Sequence, residues 1–240
     1  ALDACRRVTV QPSRPSPVLA VLLGVSYPIA AHVAVVTGRP QWTVASIGLL
    51  LALMLLGALA RGRLWAWALL LGGVAALWRL SGSTLATLPL FAPPILITAG
   101  VAWLFGRSLR AGEVPLIERF ARAVESAPLG EPQRVYARQL TAAWAGLTGA
   151  MTLSNFVLAL LAEPRGLLVT AGLQPPFTVP LEVWSLFANV LNYVLLGAMF
   201  AGEFAYRRYR FPQQSRGGFV DFVRQLVRLG PQVWRGDDAR

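Results

Sequence analysis

An apolar stretch near the end of the chain carries five polar side chains at helical spacing. They are Glu182, Ser185, Asn189, Asn192 and Glu203, within residues 182–210. At about 100° per residue in an α-helix, these five fall within an arc of about 80°. A polar group that faces lipid is costly unless it has a partner, so this polar stripe should face other helices or a wet cavity. Its chemistry is then either passage of a substrate or proton, with Glu203 as the acid, or hydrogen bonding between helices.

Two more polar side chains lie in apolar stretches elsewhere in the chain. Asn155 lies in a segment rich in Thr and Ser, and we expect it to meet the polar stripe. His32 is the only histidine, and we predict a hydrogen-bonded packing residue rather than a ligand or proton carrier. Ser26 and His32 lie about 120° apart around one helix, which makes them a poor nucleophile and base pair. We therefore predict no catalytic residue among them.

Residue counts exclude most metal and enzyme classes. One histidine and one cysteine, Cys5, cannot form a histidine-rich metal cluster, a zinc cysteine cluster or an internal disulfide. No Asp follows His32 at the H-x4-D spacing of acyltransferases, and the Asp residues form no aspartate-rich magnesium motif. The chain has no Lys and therefore no G-x4-G-K-[ST] phosphate loop. The sequence predicts no metal and no cofactor, and it favours a protein that is not an enzyme.

The composition is that of an integral membrane protein. Of 240 residues, 55% are hydrophobic and 14% are charged, and the mean hydropathy is +0.55. We predict an all-α fold with about six transmembrane helices, both termini in the cytoplasm and two short amphipathic surface helices. The predicted spans cover residues 17–36, 43–60, 64–78, 84–105, 140–162 and the apolar part of 182–210.

The chain divides into five predicted segments. They are a disordered cytoplasmic arm (1–16), transmembrane helices one to four (17–105), a cytoplasmic loop with an amphipathic helix (106–138), transmembrane helices five and six (139–205), and a basic cytoplasmic tail with a second amphipathic helix (206–240). The third span is short for a hydrocarbon core of about 30 Å, so residues 43–78 could instead form a re-entrant hairpin. Pro89, Pro93 and Pro94 predict an irregular outer half for the fourth span.

Two polar segments outside the spans have helical amphipathicity. The first, EVPLIERFARAVE, places Leu116, Ile117, Phe120 and Val124 on one side. The second, GFVDFVRQLVRLG, combines Phe, Val and Leu with basic residues in a similar way. Both are predicted to lie on the membrane surface with their apolar side in lipid.

Arginine is distributed unequally among the segments that connect the spans. If the amino terminus is cytoplasmic, cytoplasmic segments hold 19 of the 22 arginines, and the three opposite loops hold one each, Arg39, Arg79 and Arg165. This asymmetry satisfies the positive-inside rule with both ends in the cytoplasm. The net charge of +11 then faces the anionic inner leaflet, so it requires no nucleic-acid partner.

The cytoplasmic arginines are candidate contacts for anionic lipid headgroups or an acidic partner. The predicted binding residues are Arg119, Arg122, Arg207, Arg208, Arg210, Arg224 and Arg228. Glu203 lies about one turn before Arg207 and about two turns before Arg210, so we expect a structural ion pair there. Glu182 lies at the far interface, where we expect it to be hydrated.

Several runs in the second half of the chain resemble one family of small bacterial inner-membrane proteins. The runs, within residues 103–230, are WSLFANVLNYVLLGAMFAGEFAYRRYRFP continued by GFVDFVR, LFGRSLRAGEVPLIERFAR, and YARQLTAAWAGLTGAMTLSN. That family is encoded in gene clusters for aryl polyene and xanthomonadin-type pigments, and its members are sometimes labelled ketosynthase. Soluble ketosynthases need a Cys with two His, or with His and Asn, on a thiolase-like fold, which this chain cannot supply. The resemblance implies an association with pigment assembly at the membrane and carries over no catalytic residue.

We therefore expect an accessory protein of aryl polyene lipid biosynthesis in the bacterial inner membrane, which anchors or receives carrier-bound intermediates. Its expected partners are membrane lipids and either acyl carrier protein or polyene synthase subunits, because acidic carrier proteins would suit an Arg-rich face. One alternative is a transporter or flippase of a hydrophobic acid or lipid that uses Asn189, Asn192 and Glu203. The other is a membrane transferase with an unrecognised site.

Overall fold

The computed structural model describes residues 17–81, 83, 87–124 and 129–210. The predicted arm (1–16) and the second amphipathic helix, with Arg224 and Arg228, lie outside the described residues. The chain forms two compact units. The first unit is Ala1–Leu90 with Leu161–Asn189, and the second unit is Phe91–Leu160 with Val190–Arg240.

Three apolar helices begin the first unit. They are α1 (Pro17–Thr37), α2 (Pro40–Leu59) and α3 (Leu64–Leu80), with α1 packed on α2 and α2 packed on α3. The turns between them are tight because Gly38 and Gly62 adopt φ of 62° and 65°, a region that favours glycine. Pro40 lies in the first turn of α2, where its missing N–H leaves no hydrogen bond unmade.

Helix α4 (Leu88–Arg107) runs without interruption through Pro93 and Pro94. The predicted irregularity is therefore wrong for the described part of this span, which begins at Thr87. Both prolines are buried, and helix irregularities at membrane depth are tolerated where they pack against protein. The Thr98 hydroxyl also donates to the Pro94 carbonyl oxygen at 2.7 Å.

Helix α5 (Leu116–Val124) and helix α6 (Glu131–Leu161) follow. The α5 helix is tied to protein at its amino end: the Ser108 hydroxyl oxygen accepts from the Leu116 N–H, and the Thr141 hydroxyl oxygen accepts from the Ile117 N–H. Helix α6 begins nine residues before the predicted span. The Gln133 side chain accepts a hydrogen bond from the Gly130 N–H, as in one half of a capping box, and starts the helix in polar sequence.

The predicted loop between the last two spans contains short regular elements. Strands β1 (Ala162–Glu163) and β2 (Val179–Pro180) pair in parallel, and the short helix α7 (Leu167–Thr170) lies between them in the chain. A Cβ atom at Gly166 would collide with the Ala162 carbonyl oxygen, so only glycine fits there. The last helical stretch consists of α8 (Leu181–Leu186), a π-helical turn (Phe187–Leu191) and α9 (Asn192–Arg210).

Five helical stretches are long and apolar enough to cross a membrane. They are Val18–Thr37, Pro40–Leu59, Leu88–Arg107, Glu131–Leu161 and Leu181–Arg210. Helix α3, the third predicted span, has 17 residues and is about 26 Å long at ~1.5 Å per residue, slightly short of a ~30 Å hydrocarbon core. The prediction of an α-helical membrane protein is confirmed at this level.

The distribution of side chains in both units is that of a protein surrounded by lipid. In α1, the buried positions include Ala30, Ala31 and Ala34, whereas Val25 and Ile29 are more than half exposed. On α6, five of the seven buried residues are small or polar, and the other two are Trp144 and Met151; the five are Ala137, Thr141, Thr148, Asn155 and Ala159. Small and hydroxyl-bearing residues inside with large aliphatic residues outside are typical of helices that pack within a bilayer.

Candidate functional site

A chain of hydrogen bonds joins α1 to α8 inside the first unit. The His32 Nδ1 atom lies 3.0 Å from the Ser185 Oγ atom, and the Asn189 amide donates to the same oxygen at 3.2 Å. The Ser185 hydroxyl oxygen has two acceptor sites and one proton, so it can accept from Asn189 and also bond His32 Nδ1, with the direction set by the imidazole tautomer. We call these three residues the neutral cluster, because it contains no carboxylate or guanidinium group.

The contact between Ser185 and His32 resembles that of a nucleophile with its base. A reacting molecule would have to reach the Ser185 oxygen, but Ser185 is 0% exposed and Asn189 is 6% exposed. The geometry therefore favours hydrogen bonding between helices, which contributes about 0.6 to 2 kcal/mol per bond in membranes. Helical spacing pairs His32 only with Ser26 on its own helix, and nothing in the sequence links His32 to Ser185, 153 positions away.

Asn155 and Asn192 are buried in the second unit. Asn155 is 0% exposed, its amide donates to the Met151 carbonyl oxygen at 2.8 Å, and its own Oδ1 atom has no protein partner in the described chain. Asn192 is 4% exposed and is the first residue of α9. A hydroxyl pair lies nearer the start of α6, where Thr152 donates to Thr98 at 2.9 Å.

Glu203 lies in a charged cluster in the second unit. Its carboxylate pairs with the Arg207 guanidinium at 3.2 Å and accepts a hydrogen bond from the Tyr136 hydroxyl. The Tyr136 ring stacks on Tyr206 with 5.6 Å between the ring centroids, which ties the start of α6 to the end of α9. The side chain of Glu203 is only 9% exposed, so these partners offset the loss of its hydration. We call Tyr136, Glu203 and Arg207 the charged cluster.

The polar stripe inferred from the sequence is divided in the structure. The arc of about 80° applies to an uninterrupted α-helix. The π turn at Phe187–Leu191 instead adds a residue between Ser185 and Asn192. Ser185 and Asn189 belong to the first unit, and Asn192 and Glu203 belong to the second. Glu182, at the start of α8, is exposed and lines a cavity of the first unit.

Some of the arginines predicted to bind headgroups or a partner already form ion pairs with glutamates of this chain, and others do not. Arg119 pairs with Glu113 at 2.6 Å, and Arg122 pairs with Glu118 at 2.5 Å. Arg208 is exposed and makes no ion pair in the described chain, while Arg210 is an exposed residue at the end of α9.

Within the described residues, no group of three or more His, Cys, Asp or Glu side chains could hold a metal ion. The hydrogen-bonding and charged clusters have the geometry of contacts between helices. No protein-family model, curated protein or solved structure matches this chain.

Proposed function

We propose that this chain is a multi-pass protein of the bacterial cytoplasmic membrane that serves polyene pigment or lipid assembly by anchoring or receiving carrier-bound intermediates. The proposal rests on one structural observation, the basic surface at one end of the second unit. The resemblance of residues 103–230 to pigment-cluster membrane proteins supplies the pathway.

The basic surface consists of the end of α4, the loop before α5, α5 itself, the start of α6 and the end of α9. Contacts hold these parts together: Arg138 donates to the Leu109 carbonyl oxygen at 3.1 Å, and Arg134 lies 3.9 Å from Glu118. Its arginines are Arg107, Arg110, Arg119, Arg122, Arg134, Arg138, Arg207, Arg208 and Arg210. The described glutamates of the second unit are Glu113, Glu118, Glu131 and Glu203, so the surface keeps a positive excess.

Some arginines of this surface form ion pairs with glutamates, and others have no such pair and can bind a partner. Arg119, Arg122 and Arg207 neutralise glutamates, and Arg119 Nε also donates to the Val114 carbonyl oxygen at 2.9 Å. Arg110 and Arg208 are exposed and make no ion pair with any described residue. Arg107 and Arg138 also make no ion pair there, but Arg107 lies over the Trp103 ring and Arg138 bonds the Leu109 carbonyl. Arg110 and Arg208 are therefore the least engaged, and we expect attraction of an acidic carrier protein or of anionic headgroups to depend strongly on them.

The docking experiment compares two double charge reversals. Arg110→Glu with Arg208→Glu should lower copurification of acyl carrier protein or polyene synthase subunits by about tenfold at low salt, because opposite charge steers such encounters. The matched control, Arg39→Glu with Arg79→Glu, changes the same total charge on helix ends of the first unit and should copurify like the wild type. Equal copurification by both variants would remove the docking proposal.

The proposed orientation places both termini in the cytoplasm, as the arginine distribution requires. Reporter tags at the two ends of the full-length chain should both be protected from reagents that reach only the outer side of the membrane. Labelling of the carboxyl-terminal tag in intact cells would place the basic surface, which includes the end of α9, on the wrong side for a cytoplasmic carrier protein.

One observation favours a second candidate, a transporter or flippase of a hydrophobic acid or lipid. The last span is interrupted by the π turn at Phe187–Leu191, and buried asparagines lie within and after it. In this case an Asn192→Leu strain should accumulate pigment in the cytoplasmic membrane, whereas an accessory protein with intact docking should release normal pigment. Asn189 is packed and does not line the cavity of the first unit, which favours the accessory role.

A further inference from the structure

A cavity of the first unit, separate from both polar clusters, is open to the surroundings. It measures about 320 Å³ and lies where α1 ends, α2 begins, α3 ends, and α4 and α8 begin. This volume is at the lower end of the ~300–1,000 Å³ range of small-molecule sites and suits a single polar headgroup. The Arg61–Arg63 turn is at the opposite ends of α2 and α3.

Hydroxyl groups line much of the cavity. They belong to Thr37, Thr43, Ser81 and Thr87. Thr37 and Ser81 donate to the carbonyl oxygens of Val33 and Trp78, at 2.7 and 2.6 Å, and each hydroxyl oxygen retains capacity to accept. Thr87 is 8% exposed, and its Oγ1 atom has no hydrogen-bond partner in the described chain. A buried hydroxyl without a partner costs about 1–3 kcal/mol, and since Thr87 lines the cavity, rotation of its side chain toward a bound headgroup would recover that cost.

Two opposite charges also line the cavity without neutralising each other. Arg165 and Glu182 are both exposed, and neither side chain makes an ion pair with any described residue. A free guanidinium and a free carboxylate around one small volume complement a ligand that carries both signs of charge. A purely anionic headgroup would meet repulsion from Glu182, and a purely cationic one would meet repulsion from Arg165.

The surroundings place the cavity at the level of lipid headgroups. Trp42 is 39% exposed beside Thr43, and Trp78 is 61% exposed one turn before Ser81. Exposed Trp residues at helix ends are typical of the membrane–water interface. Val36 lines the cavity and is itself 58% exposed, so an aliphatic surface continues from the cavity wall toward lipid.

We propose that this cavity binds the headgroup of a zwitterionic phospholipid whose cation is a primary ammonium, as in phosphatidylethanolamine. The Arg165 guanidinium takes the phosphate, the Glu182 carboxylate takes the ammonium, and the hydroxyls accept its remaining N–H groups. A choline headgroup is disfavoured because it has no N–H to donate and because none of the described lining residues is aromatic. This site is independent of carrier-protein docking at the basic surface.

The test is native mass spectrometry of the full-length protein in mixed detergent micelles that contain equal amounts of phosphatidylethanolamine, phosphatidylcholine and phosphatidylglycerol. The wild type should retain phosphatidylethanolamine about tenfold more than either other lipid, and Arg165→Gln or Glu182→Gln should each remove that preference. Arg39→Gln and Arg79→Gln are matched controls, since these arginines lie at the same helix ends but do not line the cavity. They should keep the wild-type preference.

Three outcomes would overturn the proposal. Equal retention of the three lipids by the wild type would mean that the charges recognise no headgroup. An unchanged preference in both cavity variants, with unchanged thermal unfolding, would place the lipid elsewhere. Displacement of the bound lipid by free phosphoethanolamine as effectively as by a short-chain phosphatidylethanolamine would identify a soluble ligand instead.

Discussion

The neutral cluster of the first unit and the charged cluster of the second unit both bury polar atoms in an apolar chain, but they use different groups. His32, Ser185 and Asn189 share hydrogen bonds among a ring nitrogen, a hydroxyl and an amide. Glu203 instead has a guanidinium and a phenol hydroxyl as partners. The charged cluster lies within two turns of the arginine-rich end of α9, where a long side chain can extend toward water. The neutral cluster uses groups whose burial costs far less than that of a charge.

This comparison predicts that damage to the charged cluster costs more than damage to the neutral one. Arg207→Leu leaves the Glu203 carboxylate buried without its cation, and it should lower the free energy of unfolding by about 2–3 kcal/mol. The value is below the ~3–5 kcal/mol of fully buried pairs because the Arg207 side chain is 33% exposed. Thermal unfolding of the purified protein in detergent measures the loss.

Two companion variants make this result specific. Arg208→Leu removes an exposed arginine on the same helix turn and should change stability by less than about 0.5 kcal/mol. The double change Glu203→Leu with Arg207→Leu should recover most of the loss, because it removes the orphaned charge as well. A double variant no more stable than Arg207→Leu alone would mean that packing, not charge, holds this cluster.

A smaller effect is expected in the neutral cluster. Ser185→Ala leaves both His32 Nδ1 and the Asn189 amide without their shared partner, and should lower the free energy of unfolding by about 1 kcal/mol. Ser26→Ala on α1 is the control for loss of a half-buried serine hydroxyl and should cost less. A double-mutant cycle between Ser185→Ala and Asn189→Ala should give a coupling near 0.6 kcal/mol, and a coupling of zero would contradict the shared hydrogen bond.

The smallest effect concerns the hydroxyl pair of the second unit. The Thr152 hydroxyl also contacts the Thr148 carbonyl oxygen of its own helix at 2.8 Å, so the contact with Thr98 is only part of its bonding. Thr152→Val keeps the side-chain shape and should cost about 0.5 kcal/mol. Leu153→Ala on the exposed face of α6 provides the comparison in a lipid-facing position, and a Thr152→Val loss above about 2 kcal/mol would show that this pair is as critical as the charged cluster.

The sequence predicts helix positions well where a long apolar run must lie in lipid. It predicts them poorly where contacts within the protein determine where a helix starts or continues. Hydropathy places the first two spans within three residues of α1 and α2, because long apolar runs have no other stable environment. It does not foresee that the helix of the fifth span begins nine residues earlier, since hydropathy detects lipid contact and not the Gly130–Gln133 cap that starts α6 in polar sequence. Pro93 and Pro94 look like helix breakers in sequence, yet both are buried and α4 continues through them.

The sequence predicts which polar residues are buried in the candidate site, but not which residues they contact. Helical spacing alone singles out Ser185, Asn189 and Asn192, which the structure buries. It cannot find the Tyr136 partner of Glu203 or the His32 partner of Ser185, because both come from distant helices. It also cannot foresee a π turn, in which each N–H bonds five residues back and the assumed rotation per residue no longer applies.

The π turn determines where the last helical stretch tolerates the deletion of a single residue. A π turn holds one residue more than an α turn, so deleting one residue within 187–191 would let an ordinary α-helix close across the gap. The same deletion within α9 would rotate every later side chain by about 100° and turn Glu203 away from Tyr136. Single-codon deletions should therefore be tolerated in this turn and damaging in the helix that follows it.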